Sequence, residues 1–327
     1  APTGFATGNN AMKADMNVKR NPSFNILGFG TLYCGAKIIN NYSKPPVCPH
    51  NMFRGANSRA AFSLLPVFPA AGGSALATGE RHDNRHISMS PEGVPYPSLS
   101  DFFHDRGLPV GVVTLGNIAD ATPTAFYGHS VERDNADELT RCLMDGRIDL
   151  LCGSGIREFT RRKDGIDLVG ELEKQYDFVR SVDGIDAAKG KVICIDEAMD
   201  DAAEEANLTL LADATRASIA KLQERGGDGF FLMVEGAKID YAGHSRCLPG
   251  SIIEMLSFDL AVAEALKFAD TNGETLVIVT ADHETGGLVV VDGDEHTGRV
   301  TGVYVSDDHT PTMLPVFAYG QIGRAHV

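Results

Sequence analysis

From residue 108 onward, short apolar runs alternate with stretches that have helical spacing of apolar residues. The apolar runs are LPVGVVTL (108–115), RIDLLCGSG (147–155), KVICIDE (191–197), GFFLMVEG (229–236), ETLVIVTADHE (274–284) and LPVFAYG (314–320). The stretches with helical spacing are 135–146, 166–177, 200–225 and 251–273. Continuous apolar strands that alternate with helices are typical of parallel sheets with both faces covered. We therefore predict an α/β fold, a three-layer sandwich in which a mainly parallel central sheet is covered by helices on both faces.

The domain organisation follows from length and from the absence of linkers. The 327 residues can bury a substantial core, and no repeat or low-complexity linker divides them, so we predict a single domain over 1–327. Residues 1–69 match the alternating pattern poorly, and only FNILGFG (24–30) hints at a strand. The final QIGRAHV (321–327) reads as a common sequencing adapter translated in frame, so we expect a non-native tail.

Charge and hydropathy exclude some classes of partner. The net charge of -15 argues against nucleic acid or an anionic membrane as the main partner. No apolar run is long enough for a membrane span. A small anionic substrate is still possible, because metal ions can make a local site cationic inside an acidic protein. The segment APTGFATGNNAMKADMN has no apolar signal core, so we expect any export signal to have been removed or to lie outside this sequence.

Acidic, hydroxyl, imidazole and guanidinium side chains flank the apolar runs, most of them just after a run, where the strands of an open α/β sheet present their ligand-binding ends. They are Asp120, Thr122, His129 and Arg133 after 108–115, Glu235, Asp240 and His244 after FFLMV, Asp282 and His283 after LVIVT, and His309 ahead of the last run. Taken alone, each of these residues can be explained as an ordinary helix cap, as part of a pair on a helix face, or as a solvated side chain. Together, two carboxylate–imidazole clusters favour a two-metal site. Imidazole and carboxylate suit Zn²⁺, whereas hydroxyl and carboxylate oxygens suit Mg²⁺.

Five motifs in these regions resemble alkaline phosphatases, in the family's order and over roughly residues 70–320. They are ATGER, DATPTAFYGHSVER, VEGAKIDYAGH, VTADHETGG and DDHTPTMLPVFAYG. The resemblance implies an alkaline-phosphatase-like fold and a phosphomonoester hydrolase with two Zn²⁺ ions and one Mg²⁺. It also implies a periplasmic or secreted protein that forms a homodimer and acts on small phosphate monoesters.

The resemblance also implies roles for individual residues. It assigns Asp240, His244 and His309 to the first zinc, Asp282 and His283 to the second, Thr122 and Glu235 to magnesium, Asp120 to a place behind the magnesium ligands, and Arg133 to two phosphate oxygens. The planar fork of an arginine can hold two phosphate oxygens in a way that lysine cannot reproduce.

The chain departs from the family where the attacking serine is expected. Pro69 stands at the nucleophile position, Phe68 at the acidic position before it, and Phe29 at the position of an aspartate that bridges zinc and magnesium. Ser74 is no substitute, because it lies more than a helical turn further on and faces elsewhere. Without the serine no phosphoseryl enzyme can form, and loss of a nucleophile typically lowers turnover by on the order of 10³-fold or more.

Three interpretations remain open from the sequence. One is a damaged reading frame of an ordinary phosphatase, which we favour because the segment upstream of Ala70 lacks the pattern that a buried strand needs. Another is a non-catalytic pseudophosphatase that binds metal or phosphate. The third is another branch of the superfamily, such as a phosphodiesterase, a sulfatase or a phosphoglycerate mutase, against which DATPTAFYGHSVER argues.

Overall fold

The computed structural model describes residues 25–30, 68–203, 206–226, 229–294 and 296–320, with residues 25–30 described as backbone only. Its helices are α1 (Pro69–Thr78), α2 (Leu99–His104), α3 (Ala121–Ala125), α4 (Ala136–Arg141), α5 (Arg157–Thr160), α6 (Leu168–Leu172), α7 (Leu210–Arg225), α8 (Lys238–His244) and α9 (Leu248–Asn272). Its strands are β1 (Asn25–Gly30), β2 (Val110–Asn117), β3 (Leu150–Ser154), β4 (Tyr176–Val179), β5 (Lys191–Ile195), β6 (Phe231–Glu235), β7 (Thr275–Thr280), β8 (Glu284–Thr285), β9 (Val289–Asp294), β10 (Arg299–Val303), β11 (His309–Thr310) and β12 (Phe317–Gly320).

The main sheet has the strand order β12-β7-β1-β6-β2-β3-β5-β4. All neighbouring strands in it are parallel except β12, which runs antiparallel to β7. The mainly parallel sheet is therefore confirmed. β9 and β10 form a separate antiparallel pair within the polar segment that precedes the last strand.

Apolar cores lie on both faces of this sheet, because side chains alternate between the faces along each strand. Leu232 and Val234 of β6 pack in a core with α7 and α9. Phe231 and Met233 of the same strand pack in the other core, with α1, α2 and α3. The three-layer arrangement is confirmed, and both layers of helices cover strands that the sequence shows as continuously apolar.

Two predicted helices are shorter than the sequence pattern suggested. Among the described residues of the stretch 200–225, α7 begins only at Leu210. Ahead of it the side-chain amide of Asn207 donates to the carbonyl of Ala202 at 3.1 Å, a local bond that competes with helix formation. The stretch 166–177 is helical only over α6, and its last residues already belong to the edge strand β4. In contrast, α9 ends as predicted at Gly273, whose φ of 69° is the left-handed conformation that favours glycine.

In the described ranges we find no helix with the length and apolar character that a membrane crossing requires.

Candidate metal centre

The site is built at the carboxyl ends of β6 and β7, with β1 between them. Gly30 at the end of β1 is in register with Glu235 on one side and Thr280 on the other. Helix α8 follows β6 and carries Asp240 and His244 one turn apart, so both point to the same side. The loop after β7 brings the next carboxylate and imidazole to the same end of the sheet.

Asp240, His244 and His309 form one cluster, in which one ligand atom of each lies within 4.8 Å of the others. The two Nε2 atoms of His244 and His309 are 3.1 Å apart. Each of them lies 3.5 Å from Oδ1 of Asp240. His309 is buried and His244 is partly exposed, so the cluster lies at the edge of the interior.

Hydrogen bonds behind this cluster fix how its side chains face one another. The Nδ1–H of His244 donates to the carbonyl of Asp307 at 2.8 Å, which turns its Nε2 toward the cluster. The hydroxyl of Thr285 donates to Oδ1 of Asp240. Burial alone would raise the pKa of Asp240, but the bonds from His309 and Thr285 and the nearby imidazoles outweigh burial and lower it.

Asp282 and His283 form a second group that adjoins the first. Nε2 of His283 lies 3.2 Å from Oδ2 of Asp282, and its Nδ1 lies 4.0 Å from Oδ1 of Asp240. The rings of His283 and His309 stack with centroids 3.7 Å apart. Burial opposes a charge on His283, but the hydrogen bond and negative charge of Asp282 prevail and raise its pKa. The two groups are thus joined through Asp240 and His309.

Glu235 and Thr122 lie in the buried interior next to this cluster. The hydroxyl of Thr114 donates to Oε2 of Glu235 at 2.6 Å, and Thr122 also donates a hydrogen bond to Glu235. Burial and the charges of Asp282 and Asp120 together raise the pKa of Glu235 to about 8, because the two hydroxyls only partly counteract them. A carboxyl in such a place favours either a proton or a cation beside it.

Asp120 and Arg133 border a cavity of about 220 Å³. The cavity is lined by Asn117, Ala119, Asp120, Arg133, Asp134, Ala136 and Glu158. The hydroxyl of Tyr241 donates to Oδ2 of Asp120. Tyr241 lies on α8, so this bond links the cavity to the helix that carries Asp240 and His244. Burial raises the pKa of Asp120, and the Tyr241 bond and the charge of Arg133 oppose that rise. His129 belongs neither to the lining of this cavity nor to the cluster of Asp240, His244 and His309; its Nδ1 lies 3.1 Å from the carbonyl of Ser88.

The start of α1 reaches the cluster but carries no nucleophile there. The ring of Phe68 lies 5.5 Å from that of His309, and Pro69 is the first helical residue. Ser74 is buried and turned elsewhere: its hydroxyl donates to the carbonyl of His86 at 3.3 Å and accepts from the N–H of Ser88 at 2.8 Å. The side chain of Phe29 lies outside the described residues.

Several residues that the sequence did not single out support this site. They are Thr114, Tyr241, Glu284, Thr285 and Thr310. Glu284 and Thr285 directly follow Asp282 and His283 in the motif VTADHETGG, and their alternation on a short strand was the available signal. The residues to which they bond, Asp240 for Thr285 and Thr310 for Glu284, are distant in the sequence.

The sequence profile of the alkaline phosphatase family matches residues 67–326. The chain belongs to the alkaline phosphatase family. Alkaline phosphatase 4 of Bacillus subtilis is 33% identical over 235 residues, covering 68% of this chain and 50% of that protein. The streptomycin-6-phosphate phosphatase of Streptomyces griseus is 32% identical over 271 residues, covering 65% of this chain and 60% of that protein. The alkaline phosphatase structure from the Antarctic bacterium TAB5 superposes with a TM-score of 0.72 at 29% identity, covering 78% of each chain.

The chain spans about half the length of the Bacillus subtilis relatives that it matches. The family match favours the alkaline phosphatases over the phosphodiesterases, sulfatases and phosphoglycerate mutases considered from the sequence. A TAB5 alkaline phosphatase variant has also been solved with Mg bound in its M3 site.

Proposed function

We propose that this chain carries the metal-binding part of a metal-dependent phosphomonoesterase of alkaline phosphatase type. The crowding around one oxygen atom supports this most strongly. His244, His283 and His309 all face Oδ1 of Asp240, at 3.5, 4.0 and 3.5 Å respectively. One carboxylate oxygen cannot bond well to so many partners at once, whereas a divalent cation can be shared by them. Imidazole nitrogen and carboxylate oxygen from separate chain segments are the donors that Zn²⁺ prefers.

The donor set fits the metals of the family. We propose Asp240, His244 and His309 for one zinc, Asp282 and His283 for another, and Thr122 and Glu235 for magnesium, with Asp120 behind the magnesium ligands. When bound, the cations supply the positive charge that polarises a phosphoryl group and stabilises a departing alkoxide.

The chain's own residues prepare the site for a dianionic phosphate. Arg133 donates its planar pair of N–H groups to two phosphate oxygens from the side of the 220 Å³ cavity. Tyr241 donates a hydrogen bond to Oδ2 of Asp120, which fixes this carboxylate at the border of the cavity. The Asp307 carbonyl keeps His244 in the tautomer whose Nε2 faces the cluster.

A second candidate function is the binding of metal and phosphate without turnover. The observation in its favour is the start of α1, where Phe68 and Pro69 stand against His309 in place of an acid and a serine. Under this proposal the site keeps its cations and its arginine but no side chain attacks phosphorus.

Phosphate release distinguishes the two candidates. The 327-residue chain is compared with a variant that carries Phe29→Asp, Phe68→Asp and Pro69→Ser, using an aryl phosphate with and without chelator. We expect the variant to release phosphate faster by on the order of 10³-fold, and chelator to abolish that release. Zinc and phosphate binding without turnover by both the unaltered chain and the variant would support the binder. If neither protein binds zinc and neither releases phosphate, both candidates are refuted.

Re-reading the genomic DNA across codons 20 to 80 tests the interpretation of the sequence itself. An aspartate and a serine restored at positions 29 and 69 would leave no basis for the binder.

The family also supports an exported protein, periplasmic or secreted, that assembles as a homodimer. Cell fractionation and light scattering of the full-length gene product test these two proposals.

A further inference from the structure

Two very short strands support the ligands of the proposed zinc sites. β8 and β11 pair antiparallel, with Thr285 opposite His309 and Glu284 opposite Thr310. His283 immediately precedes β8, and His309 begins β11. A two-stranded ribbon is marginally stable by itself, so this pair needs further bonds to hold its imidazoles in place.

The carboxylate of Glu284 provides such bonds. Its Oε1 accepts from the backbone N–H groups of Gly287 at 2.8 Å and Leu288 at 3.3 Å. Its Oε2 accepts from the Gly287 N–H at 3.0 Å and from the hydroxyl of Thr310. Glu284 is buried, and hydrogen bonds to a carboxylate are stronger than those between neutral groups. One side chain thus ties the turn after β8 to the strand of His309.

The same turn also bonds to the segment ahead of His309. The N–H of Gly286 donates to the carbonyl of Asp308 at 3.1 Å, and its carbonyl accepts from Val305 and Ser306 at 3.0 Å each. Asp307, in the middle of that segment, holds Nδ1 of His244. Gly286 and Gly287 adopt φ values of 88° and 59°, the left-handed region that glycine enters at little cost. The turn therefore supports both imidazoles of the first cluster.

Side chains on a strand point alternately to opposite sides, so β8 divides two tasks. Thr285 faces the cluster and donates to Asp240, whereas Glu284 faces the turn and Thr310. We propose that Glu284 is a positioning residue for metal binding: it binds no metal itself, and it fixes the turn and strand that present His309 and His244. This inference rests on the proposed zinc site.

Zinc affinity of the apo-protein, measured by competition with a chromophoric chelator, tests this role without any turnover. We expect Glu284→Ala to weaken zinc binding by about 10- to 100-fold, the usual effect of losing a group that orients metal ligands. Glu284→Gln should stay within a few-fold, because its amide oxygen still accepts from the turn while its NH₂ donates to the oxygen of Thr310. Thr310→Val removes one bond and should give a smaller loss.

Asp177→Ala is the matched control. The carboxylate of Asp177 accepts from two successive N–H groups, of Lys189 at 2.6 Å and Gly190 at 2.8 Å, at the far edge of the sheet. Its removal should leave zinc affinity unchanged.

The outcomes separate the two proposals. If the parent chain binds zinc and both Glu284→Ala and Thr310→Val bind it equally well, the positioning role is wrong while the zinc site stands. An equal loss in Asp177→Ala would mean general destabilisation and would also overturn it. If Glu284→Ala does not fold, Thr310→Val with full zinc affinity is sufficient to reject the role. A parent chain that binds no zinc overturns the inference together with the site.

Discussion

At the scale of single residues, the site concentrates buried carboxyl groups that need a counter-charge. Glu235 is surrounded by Thr114 and Thr122 and feels the charges of Asp120 and Asp282. Burial raises the pKa of both Glu235 and Asp240, but the net shifts are opposite: hydrogen bonds and imidazole charges lower the pKa of Asp240 below its usual value, whereas the charges of Asp120 and Asp282 add to the effect of burial on Glu235. The sequence could predict both as ligands by resemblance, but the difference between them depends on contacts made after folding.

The metal-free protein should lose stability as pH rises, because of Glu235. Its pKa is about 8 in the folded state and about 4.5 when unperturbed, so between these values the folded state binds more protons than the unfolded state. The free energy of unfolding then falls with rising pH, by at most about 1.4 kcal/mol per pH unit. Thermal unfolding in chelator between pH 5 and 8 measures this, and Glu235→Gln should flatten the slope. A slope that Glu235→Gln leaves unchanged would refute the assignment, with Glu92→Gln as the control on an exposed carboxylate.

At the scale of elements, small residues let α1 lie close to α3, the helix that carries Thr122. A Cβ added to Gly73 would come within 3.1 Å of the Cα of Thr122. The small residues of PAAGGSALAT permit close approach of either a ligand or another helix, and the sequence alone does not distinguish the two. The structure shows that the partner at Gly73 is α3.

Gly73→Val should therefore affect both stability and magnesium binding. Overpacking against the backbone of α3 typically costs about 1–3 kcal/mol and should shift Thr122. Gly273→Ala is a useful comparison, since its added Cβ meets nothing within 4 Å and its cost, about 1 kcal/mol, comes only from a φ of 69°. Denaturant unfolding and magnesium titration should show weaker magnesium binding in Gly73→Val alone. Equal magnesium affinity in the two variants would contradict this account.

At the scale of the whole molecule, the charge of -15 and the gathered carboxylates lead us to expect that bound cations stabilise the fold. The acidic side chains of the site are Asp120, Glu235, Asp240 and Asp282, and they come from segments that the sheet brings together. Ligands that bind only the folded state stabilise it, and the stabilisation grows with the logarithm of their concentration over their dissociation constant.

Chelation should lower the melting temperature, and added zinc and magnesium should raise it in a concentration-dependent way. At a hundred times the dissociation constant, one site contributes about 2.7 kcal/mol. Scanning calorimetry of the parent chain and of Asp240→Asn measures the effect, and the variant should lose most of the zinc-dependent part. A melting temperature that rises equally in Asp240→Asn would place the stabilising zinc elsewhere.

The sequence by itself determined the class of fold and the residue types at the strand ends. Hydrophobic periodicity records which faces of each element are buried, so strands such as β2 and β6 and the end of α9 at Gly273 are readable locally. Only the tertiary structure decided that β1 lies between β6 and β7, and that Thr285 and Glu284 face opposite ways beside His309. Pairing between distant segments depends on register and on hydrogen bonds across the fold, and these leave no periodic trace in the chain.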